Sequence, residues 1–240
     1  MNLVIKMAEQ TSLFTINETN LNNIYLDLVT TDNAKKHFNR IVKTHHKYVP
    51  TTNYGGRQIN WLIKDDKNTL GAIGLGSAIM AMKDRDNYLG WSKDTRIKNL
   101  TMIGNNWRYC LIDKMTNLGT KVLSLFIKES KKEWLNKYGN ELCLLETLVE
   151  PPYTGTVYSA SSWHNVGMTK GTEFKWINKK DWNKINPLEN WHVCSKHMKY
   201  GTKIDYNKWQ IVRENAKKRK IIFVKPLNKN WKKKLNKVSD

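Results

Sequence analysis

Apolar residues recur along the chain with two different spacings, and the shorter spacing predicts strands. Alternating or continuous apolar runs of about four to eight residues, bounded by turn residues, are typical of strands. Such runs occupy residues 58–64, 69–76, 107–112, 141–149, 163–168 and 221–224. An Asp-Asp-Lys-Asn sequence joins the first two runs and predicts a hairpin turn. The glycines of the second run would allow another backbone or a ligand to approach closely.

The longer spacing, with apolar residues three and four positions apart, predicts helices. Residues 30–46 open with a Thr-Thr-Asp sequence, which supplies N-cap chemistry for a first helix. Residues 120–138 form the strongest helical pattern, and Gly139 ends it. The apolar residues are Phe38, Ile41 and Val42 in the first helix, and Val122, Leu123, Phe126, Ile127, Trp134 and Leu135 in the second. A turn and a short helix are predicted within residues 153–162.

The order of these elements predicts an α+β fold with one mixed sheet flanked by helices. Residues 29–172 contain most of the regular pattern and form the predicted core. Residues 1–28 are predicted to be a lead-in segment, because they are polar and show no clear period. Residues 173–240 are predicted to be a basic extension rich in Trp and Lys, with the run at 221–224 as a closing strand.

The net charge of the chain predicts a binding partner. The 240 residues include 41 Lys and Arg but only 21 Asp and Glu, which gives a formal net charge of +20. An excess of this size predicts attraction to a polyanion, and DNA is the polyanion that we expect. A Lys- and Asn-rich genome would also raise the lysine content, so a solvated lysine-rich surface is the alternative.

The basic residues are concentrated near the end of the chain, where positions 199–237 hold fourteen of them interleaved with aromatic side chains. Lysines contact phosphates without reading the sequence, and aromatic rings stack on bases that lie outside a duplex. We therefore expect this segment to bind nucleic acid. The candidate residues are Lys217, Lys218, Arg219, Lys220, Trp231, Lys232, Lys233 and Lys234.

Several classes of function lack their sequence signatures. No apolar run approaches the ~20 residues of a membrane-spanning helix, so no membrane partner is expected. Three widely spaced cysteines argue against a disulfide framework and favour a reducing cytoplasm. P-loop, Gly-x-Ser-x-Gly, HExxH and GxGxxG sequences are absent, which leaves NTPase, serine-hydrolase and dinucleotide chemistry without support. His192, Cys194 and His197 lie close together, but a structural zinc site needs four ligands, so no metal is predicted.

Eight short sequence words stand in order along the chain. They are HHKY at 45–48, YGGRQ at 54–58, RDNYLGWS at 85–92, NNWRY at 105–109, LETLVEP at 145–151, TGTVYSA at 154–160, Trp163 with VGMTKG at 166–171, and KIIFVKPL at 220–227. Together they resemble the DruA-like family, which is named for a component of the Druantia anti-phage system and is also found beside transposase-like genes. The resemblance covers roughly residues 35–236 and implies protein partners in a defence or transposition complex.

The strand, small-residue turn, long helix and second strand in the middle of the chain resemble the core of GNAT-type acyltransferases. In that fold two neighbouring parallel strands separate, the pantetheine arm of acyl-CoA lies between them, and the pyrophosphate lies at the N-terminus of the long helix. Helix N-termini stabilise phosphate through free N–H groups and the helix dipole. The resemblance implies an acyl-CoA-type donor, of open identity, held by Asn117, Gly119 and Thr120. An ordinary strand–helix turn explains the same glycine equally well.

A second resemblance is to the bacteriophage Mom proteins, GNAT-fold enzymes that add a carbamoylmethyl group to adenine in duplex DNA. It rests on an Arg after a strand start, an acidic residue and a Gly-Thr-x-Tyr-x-Ala-x-x-Trp sequence. Arg108, Glu150 and Tyr158 fall on positions that matter in Mom, which carries Asp in place of Glu150. The resemblance implies that Arg108 holds an anion and that Glu150 or Tyr158 transfers a proton.

Each candidate catalytic residue also has a structural interpretation. Arg108 could form an internal ion pair, Glu150 could be a solvated acid at a strand end, and Tyr158 could belong to the core. Glu146 is a further candidate, and because it lies within an apolar strand its charge needs a partner. His46 is a candidate base or a helix C-terminal residue favoured by the helix dipole.

Three functions stay open at this point. The first is a DNA-binding, GNAT-related protein that modifies or handles a DNA base in phage, defence or mobile-element biology. The second is a non-catalytic DNA-recognition subunit of a defence or transposition complex. The third is an acetyltransferase for a protein or a small molecule. The first requires Arg108, Glu150 and Tyr158 to converge on one cleft near the start of the 120–138 helix.

Overall fold

The computed structural model describes residues 21–46, 52, 54–182, 205, 207–215 and 219–236. The strands are β1 (Tyr25–Leu28), β2 (Gln58–Lys64), β3 (Thr69–Ser77), β4 (Ile103–Leu111), β5 (Leu144–Val149), β6 (His164–Met168), β7 (Thr172–Asn178), β8 (Trp209–Asn215) and β9 (Ile221–Pro226). The helices are α1 (Asp32–His45), α2 (Lys83–Leu89), α3 (Lys93–Asn99), α4 (Leu118–Tyr138), α5 (Thr156–Ala160), α6 (Lys179–Trp182) and α7 (Trp231–Leu235). Every strand predicted from the sequence is present, although several ends are displaced.

Seven strands form one sheet in the order β1-β2-β3-β4-β5-β9-β6. Within the described part of the chain, β4 and β5 are the one parallel pair of this sheet, and its other neighbours are antiparallel. β7 and β8 form a separate antiparallel pair. The predicted α+β class, with a mixed sheet and flanking helices, is confirmed. β1 comes from the predicted lead-in and β9 from the predicted extension, so the sheet draws strands from both sides of residues 29–172.

The long helix α4 covers one face of the sheet. Five of its six buried residues, Leu118, Val122, Phe126, Ser130 and Trp134, are spaced four apart, and the sixth is Leu123. The apolar ones pack with Trp61 and Ile73 of β2 and β3 in one core cluster. Leu135 was wrongly predicted in the buried stripe and is 51% exposed. Because each helical residue is turned by about 100° from the one before it, Leu135 lies off the row that ends at Trp134.

The first helix, α1, covers the opposite face. Thr31 caps it as predicted, since its side-chain oxygen accepts a hydrogen bond from the Ala34 N–H at 3.2 Å. The cluster buried beneath it contains Phe38, Ile41, Val42, Leu62, Ala72, Trp107 and Cys110. Neighbouring strand residues point to opposite faces, so Leu62 packs with α1 whereas Ile63 packs in the cluster of α4.

The parallel strands β4 and β5 separate soon after they meet. They are paired from Ile103 to Asn105 against Leu144 to Glu146. Beyond that point side chains bridge the gap: Thr147 Oγ1 donates to the Asn106 backbone oxygen at 3.0 Å, and the Tyr158 hydroxyl donates to Asn106 Oδ1 at 2.7 Å. A pair of separating parallel strands connected through a long helix is the arrangement that the GNAT resemblance implies.

The sequence pattern did not reveal α2 and α3, and α2 carries one partner of a buried ion pair. Arg85 of α2 is fully buried, and its Nη1 donates to Glu146 Oε2 at 2.8 Å. A second bond runs from Arg85 Nη2 to Asp86 Oδ1 at 2.7 Å. Although burial works to lower it, Glu146 and Asp86 hold the pKa of Arg85 above its usual value. The charged partner that a buried Glu146 requires is therefore Arg85.

Within the described ranges, none of the helices has the length and apolar character needed to cross a membrane.

Candidate active site

A cleft of about 390 Å³ opens where β4 and β5 have separated. β4 contributes residues 109–111, β5 contributes Val149, and α5 with its preceding loop contributes residues 153–158. The C-terminal end of α1 closes the cleft with His45 and His46. A volume in the range of roughly 300–1,000 Å³ is typical of small-molecule sites.

His46 stands at the end of α1 and is 9% exposed. Its backbone N–H donates to the Val42 oxygen at 3.0 Å, and this is the C-cap hydrogen bond of α1. Burial, together with the positive charges of Arg108 and Lys220, lowers the pKa of His46 to about 4, and Glu150 opposes this shift. The imidazole is therefore neutral at neutral pH and can accept a proton.

Two of the predicted catalytic residues, Arg108 and Glu150, lie near His46, since the charges of both act on its pKa. Arg108 Nη1 donates to the Trp107 backbone oxygen at 2.6 Å, and its guanidinium carbon lies 4.6 Å from the centre of the Trp107 ring. Glu150 follows β5 and forms a 3.0 Å ion pair with Lys220. The charges of Arg108 and Glu150, which belong to β4 and to the end of β5, thus act on the imidazole at the end of α1.

Tyr158 lines the same cleft but turns its hydroxyl into the sheet. The residue is 7% exposed, and its ring packs against Trp163 and Phe223 with centroids 5.0 and 5.8 Å apart. Because the hydroxyl donates to Asn106 Oδ1 in the gap between the strands, Tyr158 anchors one wall of the cleft. Of the three residues predicted to converge, Tyr158 lines the cleft, as does His46, whereas Arg108 and Glu150 are not among its lining residues.

The turn predicted to hold a cofactor borders this cleft. The Tyr109 hydroxyl donates to the Gly119 oxygen at 3.0 Å, and Thr120 Oγ1 donates to the Asn117 oxygen at 3.0 Å. A Cβ atom on Gly119 would lie only 2.8 Å from Val157 Cγ2, so the glycine allows α4 to begin in contact with α5. Asn117, Gly119 and Thr120 are not themselves among the lining residues, and Gly119 adjoins the cleft through its contacts with Tyr109 and Val157, which are.

Glu146, the other predicted catalytic carboxylate, does not reach the cleft. Besides Arg85, its carboxylate accepts a hydrogen bond from the Ile79 N–H at 2.7 Å. Glu146 and Thr147 are consecutive on β5, so they point to opposite faces of the sheet, and Thr147 is the one that joins the Tyr158 network. Glu146 is therefore fully buried and paired with Arg85 on the face of the sheet opposite to Thr147.

The predicted nucleic-acid-binding residues divide into those with internal partners and those that are exposed. Lys220 pairs with Glu150, and Lys234 pairs with Glu141 at 2.6 Å. Arg219, Lys232 and Lys233 are exposed, although Arg219 Nε donates to the Thr169 oxygen and Lys232 lies over the rings of Tyr88 and Trp231. Trp231 stacks on Tyr88, with centroids 5.8 Å apart. Lys217, Lys218 and the 192–197 segment lie outside the described residues.

A comparison with models of protein families identifies the family of the chain. The model of the family described as Druantia protein DruA matches residues 6–237. The chain belongs to the DruA family. No curated protein sequence matches it significantly.

Solved structures similar to this DruA-family chain include acetyltransferases at low sequence identity. One is spermidine N-acetyltransferase from Vibrio cholerae in complex with CoA and spermine, with 7% identity, a TM-score of 0.44, and coverage of 86% of this chain and 96% of that one. Another is aminoglycoside acetyltransferase AAC(6')-Ib with ribostamycin and coenzyme A, with 9% identity, a TM-score of 0.45, and coverage of 90% and 99%. A third is an N-acetyltransferase from Staphylococcus aureus Mu50, with 10% identity, a TM-score of 0.41, and coverage of 85% and 97%.

Of the residues that line the cleft in this DruA-family chain, sequence reasoning named His46 and Tyr158 as site candidates. Tyr109 and Lys114 are among the lining residues that it did not name, and it did not connect Lys220 with Glu150. Lys220 was assigned to DNA binding because it lies in a basic run. Its position beside Glu150 follows from the register of β5 and β9, in which Val149 pairs with Ile221. A pairing between strands about 70 positions apart leaves no local signal in the sequence.

Proposed function

We propose that this DruA-family chain binds DNA and transfers an acyl-type group to a nucleobase in the cleft between β4 and β5. The observation that carries the proposal is the cleft itself, which is lined by the buried imidazole of His46, with the charges of Arg108, Lys220 and Glu150 acting on that imidazole. Group transfer to an amine needs a base, because the amine loses a proton. It also needs a cation or hydrogen-bond donors that stabilise the negative charge developing on the transferred group.

In this proposal the base to be modified leaves the duplex and enters the cleft, since its amine is otherwise out of reach. A bound acyl-type cofactor would supply the transferred group, with its anionic end at Asn117, Gly119 and Thr120. The amine nitrogen forms the new bond to the acyl carbon while the bond from that carbon to its carrier breaks, and the carrier leaves with the electron pair of that bond. His46 takes the proton that the nitrogen loses and can pass it to the departing carrier. Arg108 neutralises charge on the group being transferred. His46 is a weak base, but the proton on an acylated amine nitrogen is acidic enough for one.

The second candidate function is a non-catalytic DNA-recognition subunit. Its supporting observation is the net charge of +20 together with the exposed Arg219, Lys232 and Lys233. Both functions predict DNA binding, so binding alone does not separate them.

Nucleoside mass spectrometry of plasmid DNA from cells that express the full chain tests the proposal. We expect a nucleoside of increased mass with the wild-type chain and none with His46→Gln. His164→Gln is the matched control, because this histidine bonds to Tyr88 at 2.8 Å and does not line the cleft. Unmodified nucleosides from a wild-type chain that still binds DNA would support the recognition subunit instead.

A further inference from the structure

A second cavity, of about 660 Å³, lies at the other end of β4. It is lined where β2 and β4 begin and β3 ends, and Ile103 is the first residue of β4 whereas the cleft uses its last three. At a rise of about 3.3 Å per residue, the two sites lie on the order of 20 Å apart along the strand. This cavity is therefore separate from the candidate active site.

The walls of this second cavity are mainly apolar. Met80 and Ile97 stand at its mouth and are 48% and 58% exposed, an unusual position for large apolar side chains in water. Leu100, Ile103 and Trp134 complete the apolar lining. The Trp134 indole N–H is buried without a hydrogen-bond partner in the described part of the chain. A molecule with an apolar body would gain free energy by covering these surfaces.

One cation, Arg57, stands in this apolar lining. Its Nη1 donates to Asn140 Oδ1 at 2.5 Å, and its guanidinium carbon lies 5.0 Å from the centre of the Tyr138 ring. A guanidinium carries five N–H donors, and its planar fork matches a carboxylate. The described residues that line the cavity include no Asp or Glu to neutralise it. The cavity thus combines an apolar interior with an uncompensated anion-binding group.

We propose that this cavity binds a small carboxylate with an apolar chain, such as a medium-chain fatty acid. The carboxylate pairs with Arg57, and the chain lies along Met80, Ile97 and Leu100. The volume suits a ligand of this size. The protein would then bind this small molecule at a site separate from the cleft, and the molecule would take no part in the chemistry there.

Calorimetric titration of the full chain with decanoate, decanol and decylamine, each below its micelle-forming concentration, tests the site. We expect decanoate to bind at least tenfold more tightly than decanol, and decylamine to bind most weakly. Octanoate should bind more weakly than decanoate by roughly fourfold per methylene removed. Equal affinities for the three ten-carbon probes, or no binding by decanoate, would overturn the proposal.

Three variants locate the binding within the chain. Arg57→Met should weaken decanoate binding at least tenfold while leaving decanol unchanged, and retained decanol binding shows that the variant is folded. Gly55→Trp should weaken both probes, because an added Cβ meets no atom within 4 Å and the side chain can occupy the cavity mouth. Lys137→Met is the control, since this lysine lies 5.5 Å from the same Tyr138 ring but does not line the cavity. Equal losses in Arg57→Met and Lys137→Met would overturn the proposal.

Discussion

At the scale of single residues, the low pKa of His46 in the cleft makes the stability of the protein depend on pH. Its folded-state pKa of about 4 lies below the ordinary value of 6.5. As the pH falls, the unfolded chain binds a proton before the folded chain does. The stability that neutral His46 contributes is therefore complete above about pH 6.5 and is lost progressively down to about pH 4.

We predict that the wild-type chain loses more stability between pH 7 and pH 5 than His46→Gln does. The difference should be about 1 kcal/mol, which allows for solvent screening at the cleft mouth. Urea unfolding at both pH values measures it, with His45→Gln as the control for losing a histidine at this helix end. An identical pH dependence in wild type and His46→Gln would contradict the assigned environment.

The buried Arg85–Glu146 pair should matter far more to stability than an exposed pair. Arg85→Met leaves a buried carboxylate without its cation and should cost about 3–5 kcal/mol. Lys64→Met, which removes a partly exposed 2.6 Å pair with Asp27, should cost less than about 1 kcal/mol. Urea unfolding measures both changes. Adding Glu146→Leu to Arg85→Met should recover much of the loss, and a double variant less stable than Arg85→Met would refute the pairing argument.

At the scale of elements, Gly155 lets α5 begin against β9. Gly155 and Gly139 have similar positive φ angles of 77° and 69°, but only at Gly155 would a Cβ meet a ring, 2.3 Å from Phe223 Cε2. Backbone strain alone should make Gly139→Ala cost about 1 kcal/mol, whereas Gly155→Ala should cost at least about 2 kcal/mol. Thermal unfolding compares them. Equal losses would mean that the Phe223 contact is unimportant.

The sequence predicted elements well where a local pattern decides them, and poorly where a long-range contact does. The β2–β3 hairpin and the body of α4 follow from alternation and four-residue spacing within one segment. The helices α2 and α3, of seven residues each, lack a clear apolar stripe because α2 buries Arg85 and Asp86. The same limit applies to the site: Arg108, Glu150 and His46 were named from sequence words, but Lys220 reaches Glu150 only through the insertion of β9 between β5 and β6.

At the scale of the whole molecule, the net charge of +20 should make DNA binding depend steeply on salt. If about six phosphates are neutralised, log K falls with log salt at a slope of about −5. A Lys232→Ala/Lys233→Ala double variant should make the slope shallower by about 2, because both lysines are exposed on one helix. Fluorescence anisotropy over a salt series measures this slope. The charge-matched double variant Lys64→Ala/Lys132→Ala should keep the wild-type slope, and equal changes in both would mean that diffuse charge, rather than this surface, binds DNA.

The central claim is that the cleft performs chemistry on a base while the basic surface holds the DNA. The measurement that tests it most directly is the fraction of modified nucleosides in plasmid DNA, determined by mass spectrometry beside the DNA affinity of each purified variant. Arg108→Ala should abolish modification and leave affinity within about twofold, whereas Lys232→Ala/Lys233→Ala should weaken affinity and reduce modification only in proportion. Loss of affinity in Arg108→Ala equal to its loss of modification, or modification that persists without Arg108, would contradict the account.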